Sequence, residues 1–328
     1  MAIHAGVLQC RNRVESLPVT NDRPLVSVVI PCFNASSTLA ATLRSVLAQT
    51  YPAIEVIAVD DASHDGTLAL LHDHTPAFGG RLSIVALEQN RGSAGARNAG
   101  IELAQGSYLA LLDADDQWLP EKTERQVSHL EEHPRDVLVG CRAQEFVNAA
   151  GPTAINGDRE PTVGPDAWRT MLQYSYFVPS MVMARMAHVR AIGGFDTRRY
   201  VVDDQDFLIR LAMRGNVAMV PELLVTIGYD PMSLSHRNRL REPDLVLPML
   251  RDLFEQLGAR LSDEERRKIL ATRRERLGRN IYPVEPMRGL PHLLYAMANG
   301  QHPLENAIFL ATANRWIAPL KRIIRRAA

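Results

Sequence analysis

The sequence predicts an α/β protein with a mainly parallel sheet flanked by helices and a helical C-terminal extension. Three observations lead there. Between residues 25 and 112, short β-branched apolar runs alternate with segments of helical periodicity. The fourth of these runs ends in Asp113, Asp115 and Asp116, three like charges that a buried strand cannot tolerate without a partner. From about residue 240 onward, only helical patterns occur.

Each element follows from local chemistry. Residues 1–24 are polar, aperiodic and contain Pro18 and Pro24, so a loose N-terminal extension is expected. Residues 25–30 read as the first strand. Ser36 or Ser37 can cap a helix that places Leu39, Leu43, Val46 and Leu47 on one face, and Tyr51-Pro52 stops it. Strands are expected at 54–59, 82–87 and 108–112, with helices at 66–74 and 93–105 between them; Ser93 is the expected cap of the latter and Gly106 its C′ residue. A helix at 120–132 and strands at 137–147 and 181–184 follow, separated by a loop over 148–165. A tight turn at 192–196 and a helix at 204–214 precede the helical region, which is expected over 239–328. The catalytic-type domain is therefore placed at 25–238. In sheets of this kind, ligands bind at the carboxyl ends of the strands.

Composition removes several function classes. The chain has 328 residues and a formal net charge of zero, so no global field recruits nucleic acid. Its three cysteines, Cys10, Cys32 and Cys141, are widely spaced, which fits neither a disulfide framework nor a zinc pattern and suits a reducing cytosol. The first residues lack the apolar core of a signal peptide, and no run approaches the roughly 18 apolar residues of a spanning helix. The net balance conceals a local bias: residues 315–326 hold five basic side chains and no acidic one. Trp316, Leu320, Ile323, Ile324 and Ala327 recur there at helical spacing, flanked by Arg315, Lys321, Arg322, Arg325 and Arg326. Such a helix suits a membrane interface, or equally a packed helix with a solvated basic side.

Four acidic clusters carry the chemistry. Asp60 and Asp61 follow the second strand, where they could contact a nucleoside or simply cap the next helix, as could Ser63. Asp113, Asp115 and Asp116 offer oxygen ligands suited to Mg²⁺ or Mn²⁺ beside a phosphorylated ligand, or else form a solvated acidic turn. Asp196 follows Gly193-Gly194-Phe195. Asp203, Asp204 and Asp206 crowd a helix start, more acid than capping needs, so one could act as a general base. Arg97 and Asn98 sit on a helix rich in small residues. Its glycines do not make a dinucleotide fingerprint or a Walker loop, and no nucleophile elbow is present.

In order and spacing, residues 29–34, 59–67, 90–100, 112–116, 193–196 and 203–210 resemble the family-2 glycosyltransferases. The similarity covers roughly residues 25–235. The resemblance implies a GT-A fold, a nucleotide-sugar donor, Mn²⁺ or Mg²⁺, and inversion at the anomeric carbon. It implies that Pro31, Phe33, Asp60, Asp61 and Arg97 line the nucleotide, and that Asp113 and Asp115 are the Asp-x-Asp pair, with Asp115 nearest the metal. Asp204 matches the catalytic base. Asp203, Gly194 and Phe195 fall on the acceptor side, although core packing is the preferred reading of Phe195. Cys32-Phe33 stands where Thr-Tyr is commoner, Ala62-Ser63-His64 where Gly-Ser-Thr is commoner, and Asp203 where Glu is usual. The Gln-x-x-Arg-Trp pattern of processive synthases is absent, which implies addition of a single sugar.

The expected function is inverting transfer of one sugar, from a UDP-sugar before other donors, to a hydroxyl of a glycan or lipid-linked acceptor in surface polysaccharide or glycoconjugate synthesis. The expected location is the cytosol or the cytoplasmic face of a membrane, reached through residues 315–328. A non-catalytic nucleotide-sugar-binding module is one alternative. A sugar nucleotidyltransferase is another, but it calls for a Gly-rich basic loop after the first strand, and Pro31-Cys32-Phe33-Asn34 is neither.

Overall fold

A computed structural model describes residues 7–8, 23–145, 153–154, 161–228 and 237–313. The chain forms two compact units, residues 1–171 with 175–230 and residues 172–174 with 231–328. The expected terminal helix at 315–328 lies outside the described residues.

The first unit is organised by a ten-stranded sheet: β1 (Val7–Leu8), β2 (Val26–Cys32), β3 (Ile54–Asp60), β4 (Leu82–Leu87), β5 (Tyr108–Leu111), β6 (Gln117–Trp118), β7 (Asp136–Glu145), β8 (Thr153–Ala154), β9 (Met183–Arg185) and β10 (Asn216–Ile227). Its order is β1-β4-β3-β2-β5-β9-β7-β10-β6, with β8 added to β7. Strands β4, β3, β2 and β5 are mutually parallel, as are β7 and β10. Antiparallel β9 joins these two parallel blocks. Val28, Val29 and Ile30 of β2 are fully buried, as helices on both faces of a parallel sheet require. Each such side chain contributes about 1.5–3 kcal/mol of burial.

Helices α1 (Leu39–Leu47), α2 (Thr67–His74), α3 (Gly92–Leu103) and α4 (Lys122–Glu132) connect the strands as the sequence predicts. Shorter α5 (Ala167–Met171) and α6 (Met186–Ala191) precede α7 (Asp203–Ala212). From β2 the chain builds outward through β3 to β4, then returns to place β5 on the other side of β2. The crevice beyond the carboxyl ends of β2 and β5 is therefore the topological switch point where such sheets bind ligands.

Several expectations need correction. Val7–Leu8 adds an antiparallel strand to β4, so the N-terminal extension is not wholly loose. Gly106 is not a left-handed C′ residue. Helix α3 ends at Leu103, Ala104 is already extended, and a Cβ on Gly106 would lie 2.6 Å from the Leu25 carbonyl oxygen. Close approach to β2, not backbone handedness, requires that glycine. Neither Ser36 nor Ser37 caps α1: the N-cap position is Thr38, and it makes no side-chain cap bond. Strands β6 and β10 were not foreseen. β10 carries Pro221 and several register shifts against β7, which breaks the alternation that reveals a strand.

The second unit is helical: α8 (Glu242–Leu257), α9 (Asp263–Ile281), α10 (Pro286–Ala298), and a further helical stretch over 303–313. Ser262 and Glu265 form a reciprocal capping box at the start of α9. Gly278 and Gly289 let the α9–α10 hairpin close, since a Cβ at either would meet Leu293 or Tyr282 at 2.6 Å or less.

Candidate active site

The carboxyl ends of β2 and β3 form one wall. Beyond them, Asn34 and Ala62 adopt left-handed backbone at φ 51° and 58°, which costs a non-glycine residue energy, less for Asn than for Ala. Asn34 ties the two turns together: its N–H donates to Ser63 Oγ (3.0 Å), and its Oδ1 accepts the His64 N–H (2.9 Å). Phe33 is half exposed, with its ring edge-on to His64. Asp60 and Asp61 are both buried. Asp61 does not cap α2. Its Oδ1 accepts the Arg91 N–H (2.7 Å) at the start of α3, and burial pushes its carboxyl above the ordinary range. The capping acceptor near α2 is Asp65, which receives the Thr67 N–H. Asp60 Oδ1 is buried and has no hydrogen-bond partner among the described residues.

The second wall is the turn after β5. Asp116 is buried; its Oδ1 accepts the Gly228 N–H (2.8 Å), and its Oδ2 accepts the Ser180 hydroxyl. Ser180 Oγ in turn accepts the Asp113 N–H (3.0 Å). Burial, reinforced by the charges of Asp113 and Asp115, holds the Asp116 carboxyl well above the usual range. Asp113 and Asp115 remain partly exposed. Gly228 packs against the Asp115 backbone so tightly that a Cβ would lie 2.3 Å from the Asp115 carbonyl oxygen.

Arg97 joins this turn to α7. Its Nη2 bonds Asp113 Oδ1 (2.7 Å) and its Nη1 bonds Asp203 Oδ2 (2.9 Å). Its side chain is 7% exposed, so these are desolvated, charge-assisted pairs rather than surface bridges. Asp113 and Asp203 together hold the guanidinium even further above its usual range. Asp203 Oδ2 also accepts the Ser93 hydroxyl (3.0 Å), so Ser93 braces α7 and does not cap α3. Asp204 is next in the chain and partly exposed. Burial of its carboxyl, and secondarily the Asp203 charge, push its pKa up to about 7, opposed by Arg97.

The glycine turn supports this arrangement. Asn98 clamps Phe195, donating Nδ2–H to its carbonyl and accepting its N–H, both at 2.8 Å. Gly194 has φ 71°, and a Cβ there would lie 2.5 Å from Asn98 Oδ1. Phe195 is 3% exposed, stacks on Phe207 at 4.0 Å, and lies 5.3 Å beneath the Arg97 guanidinium. It is therefore a packing residue, with no free face for a sugar. Asp206 is also structural, paired with Arg210 (2.6 Å) and Arg199 (3.5 Å), while Arg210 holds the Ile192 and Gly194 carbonyls.

The structure thus brings Arg97, Asp113, Asp203 and Asp204 into one constellation, with Asp115 in the same turn as Asp113. Pro31, Phe33, Asp60 and Asp61 line the neighbouring wall. Sequence reasoning missed Ser180 and Gly228. Ser180 stands in a stretch without motifs, and Gly228 follows the strand that was not foreseen.

The donor set fits a divalent cation. Asp113 and Asp115 supply hard oxygen ligands on a turn whose third carboxylate, Asp116, is already fully engaged.

Comparison with known proteins agrees with this geometry. Residues 27–168 match the model of glycosyl transferase family 2. A putative teichuronic acid biosynthesis glycosyltransferase of Bacillus subtilis is 45% identical over 114 residues, which cover 35% of this chain and 45% of that protein. An Escherichia coli UDP-Glc:α-D-GlcNAc-diphosphoundecaprenol β-1,3-glucosyltransferase is 38% identical over 107 residues, 33% of this chain and 41% of the relative. The matched segments thus span less than half of these two relatives. Staphylococcus aureus TarS, solved as residues 1–349 with UDP-GlcNAc, superposes with a TM-score of 0.63 at 19% identity, covering 84% of this chain and 79% of that one. This likeness shows the GT-A fold. The matched segment holds the switch-point walls and the Asp-x-Asp turn, and over residues 27–168 the chain is similar to the family-2 glycosyltransferases.

Proposed function

We propose that the chain is a metal-dependent, inverting glycosyltransferase that moves a single sugar from a nucleoside-diphosphate sugar, a UDP-sugar before others, to a hydroxyl of a glycan or lipid-linked acceptor. The observation that carries this reading is the Arg97-centred constellation at the carboxyl edge of the sheet, which sets a raised-pKa carboxylate, Asp204, beside a metal-type carboxylate turn. The E. coli relative is named for a lipid-diphosphate acceptor, and the B. subtilis relative for polysaccharide synthesis; both support an acceptor of this class.

In this reading, Asp60, Asp61 and Phe33 receive the nucleobase and ribose; the unpartnered Asp60 Oδ1 is an acceptor awaiting a ligand donor. Asp113 and Asp115 hold Mn²⁺ or Mg²⁺, which when bound supplies Lewis-acid neutralisation of the diphosphate. Asp204 takes the proton from the acceptor hydroxyl as its oxygen bonds to the anomeric carbon. The bond to the diphosphate breaks on the opposite face, so configuration inverts in one displacement. Arg97 keeps Asp113 and Asp203 fixed, which positions Asp204 without placing Arg97 in the proton path. No helix among the described residues is long and apolar enough to cross a membrane. A cytosolic or membrane-peripheral location belongs to this proposal.

The test is release of nucleoside diphosphate from a panel of sugar nucleotides with Mn²⁺, in the presence of candidate acceptors. The reading expects turnover with at least one donor, abolished by EDTA. No transfer from any donor under these conditions would contradict it.

A further inference from the structure

The end of α4 and the start of β7 bring together His129, His133 and Asp136, none of which takes part in the chemistry above. Histidines four residues apart share one face of a helix. One ligand atom from each of the three residues lies within 4.8 Å of the other two. His129 Nε2 and Asp136 Oδ2 are 2.9 Å apart. The two imidazoles stack at 4.3 Å between centroids, 15° from parallel.

The surroundings orient these groups as metal ligands are usually oriented. His133 Nδ1 lies 2.9 Å from the His129 carbonyl oxygen. A proton donated there leaves the Nε2 lone pair available, the tautomer that metal-bound histidines adopt. Asp136 Oδ1 accepts from Asn216 Nδ2 (3.1 Å), which fixes the carboxylate and leaves Oδ2 toward His129. Arg185 braces the intervening turn: its Nε donates to the Asp136 carbonyl (2.9 Å) and its Nη2 to the carbonyls of Leu130 and His133. His133 is exposed, while His129 and Asp136 are partly buried, so the cluster opens to solvent on one side.

We propose that His129, His133 and Asp136 form a binding site for a first-row transition-metal ion, Zn²⁺ by ligand chemistry. Two imidazole nitrogens and one carboxylate oxygen suit Zn²⁺, with water in the fourth position, and do not suit the hard, all-oxygen preference of Mg²⁺. Binding replaces the direct His129–Asp136 hydrogen bond and draws the exposed His133 ring out of its stack. Strand β7 runs parallel to β5, so its first residue lies at the opposite edge of the sheet from the Asp113 turn. The site is therefore separate from the donor chemistry, and its effect is to fasten α4 to β7.

The experiment uses the full chain carrying Asp113→Asn and Asp115→Asn, so that the acidic turn does not compete. Titration with Co²⁺ is followed by its visible d–d absorption, then by displacement with Zn²⁺. The proposal expects one equivalent of Co²⁺ with a tetrahedral-type band, release of Co²⁺ by Zn²⁺, and a rise in Tm with Zn²⁺. His133→Ala, at an exposed position that leaves the fold intact, is expected to weaken binding by at least about tenfold, as is His129→Ala. Absence of a stoichiometric band, or binding by both histidine variants as tight as that of the parent protein, would overturn it.

Discussion

The turn over 113–116 and the start of α7 each tie buried carboxylates into the fold and keep at least one partly exposed, but they hold Asp116 and Asp206 by different means. In the turn, Asp116 is held by neutral donors, the Gly228 N–H and the Ser180 hydroxyl, and its carboxyl is pushed up. In α7, Asp206 is held by the guanidinium groups of Arg210 and Arg199. With neutral donors at Asp116, the positive charge at this turn comes from Arg97 on Asp113. Cations suit α7, where Arg210 also anchors the glycine turn. Arg97 touches both clusters, so it sets the spacing between the turn and α7.

The comparison breaks first at Asp115, partly exposed in the turn. Asp115→Asn is expected to lower turnover by at least about two orders of magnitude, the usual scale for losing electrostatic stabilisation of a leaving group. Steady-state assay across Mn²⁺ concentrations checks this, and near-wild-type turnover with activity retained in EDTA would refute the metal role.

The next contrast concerns the buried carboxylates. Asp206→Asn removes the carboxylate that Arg210 pairs with, while Arg199 keeps Asp196, and is expected to cost about 3 kcal/mol. Asp116→Asn keeps a carbonyl acceptor for the Gly228 N–H and is expected to cost about 1 kcal/mol or less. Urea unfolding of both variants compares them directly; equal losses would remove the distinction. pH sharpens it further. A carboxyl raised in the folded state stabilises fully below its unfolded pKa, and loses that contribution as pH rises through the folded value. The stability difference between wild type and Asp116→Asn should therefore move in the variant's favour as pH rises above about 4. A constant difference across that range would mean that Asp116 is not raised.

The smallest expected effect is on the pH profile of activity. With its pKa pushed up to about 7, Asp204 is ionised only above that value, so kcat/KM should climb as pH rises through the neutral range. A flat profile between pH 6 and 8 would mean that Asp204 is not the titrating base.

The legible half of the fold was the part written in local patterns. Strands β2 to β5 are short, apolar and separated by helices with clear faces, and the acidic residues at their ends announced the site. β10 was hidden because Pro221 and Glu222 interrupt its alternation, and β6 because two residues carry no period. The individual acids were visible, but their division of labour was not. Nothing in Asp203-Asp204-Gln205-Asp206 says which carboxylate Arg97 will take, since that depends on how α3 packs against α7. Packing was already the preferred reading of Phe195, and its stacking on Phe207 agrees with it.

The central claim is that Asp204 serves the acceptor while the Asp113–Asp115 pair serves the donor. Asp204→Asn tests it most directly, with transfer measured by nucleoside diphosphate release and donor affinity by calorimetric titration of the nucleotide with Mn²⁺. The account predicts that transfer is lost while nucleotide affinity stays within a few-fold of wild type. Collapse of nucleotide binding together with activity would place Asp204 in the donor site or in the fold, and would contradict the account.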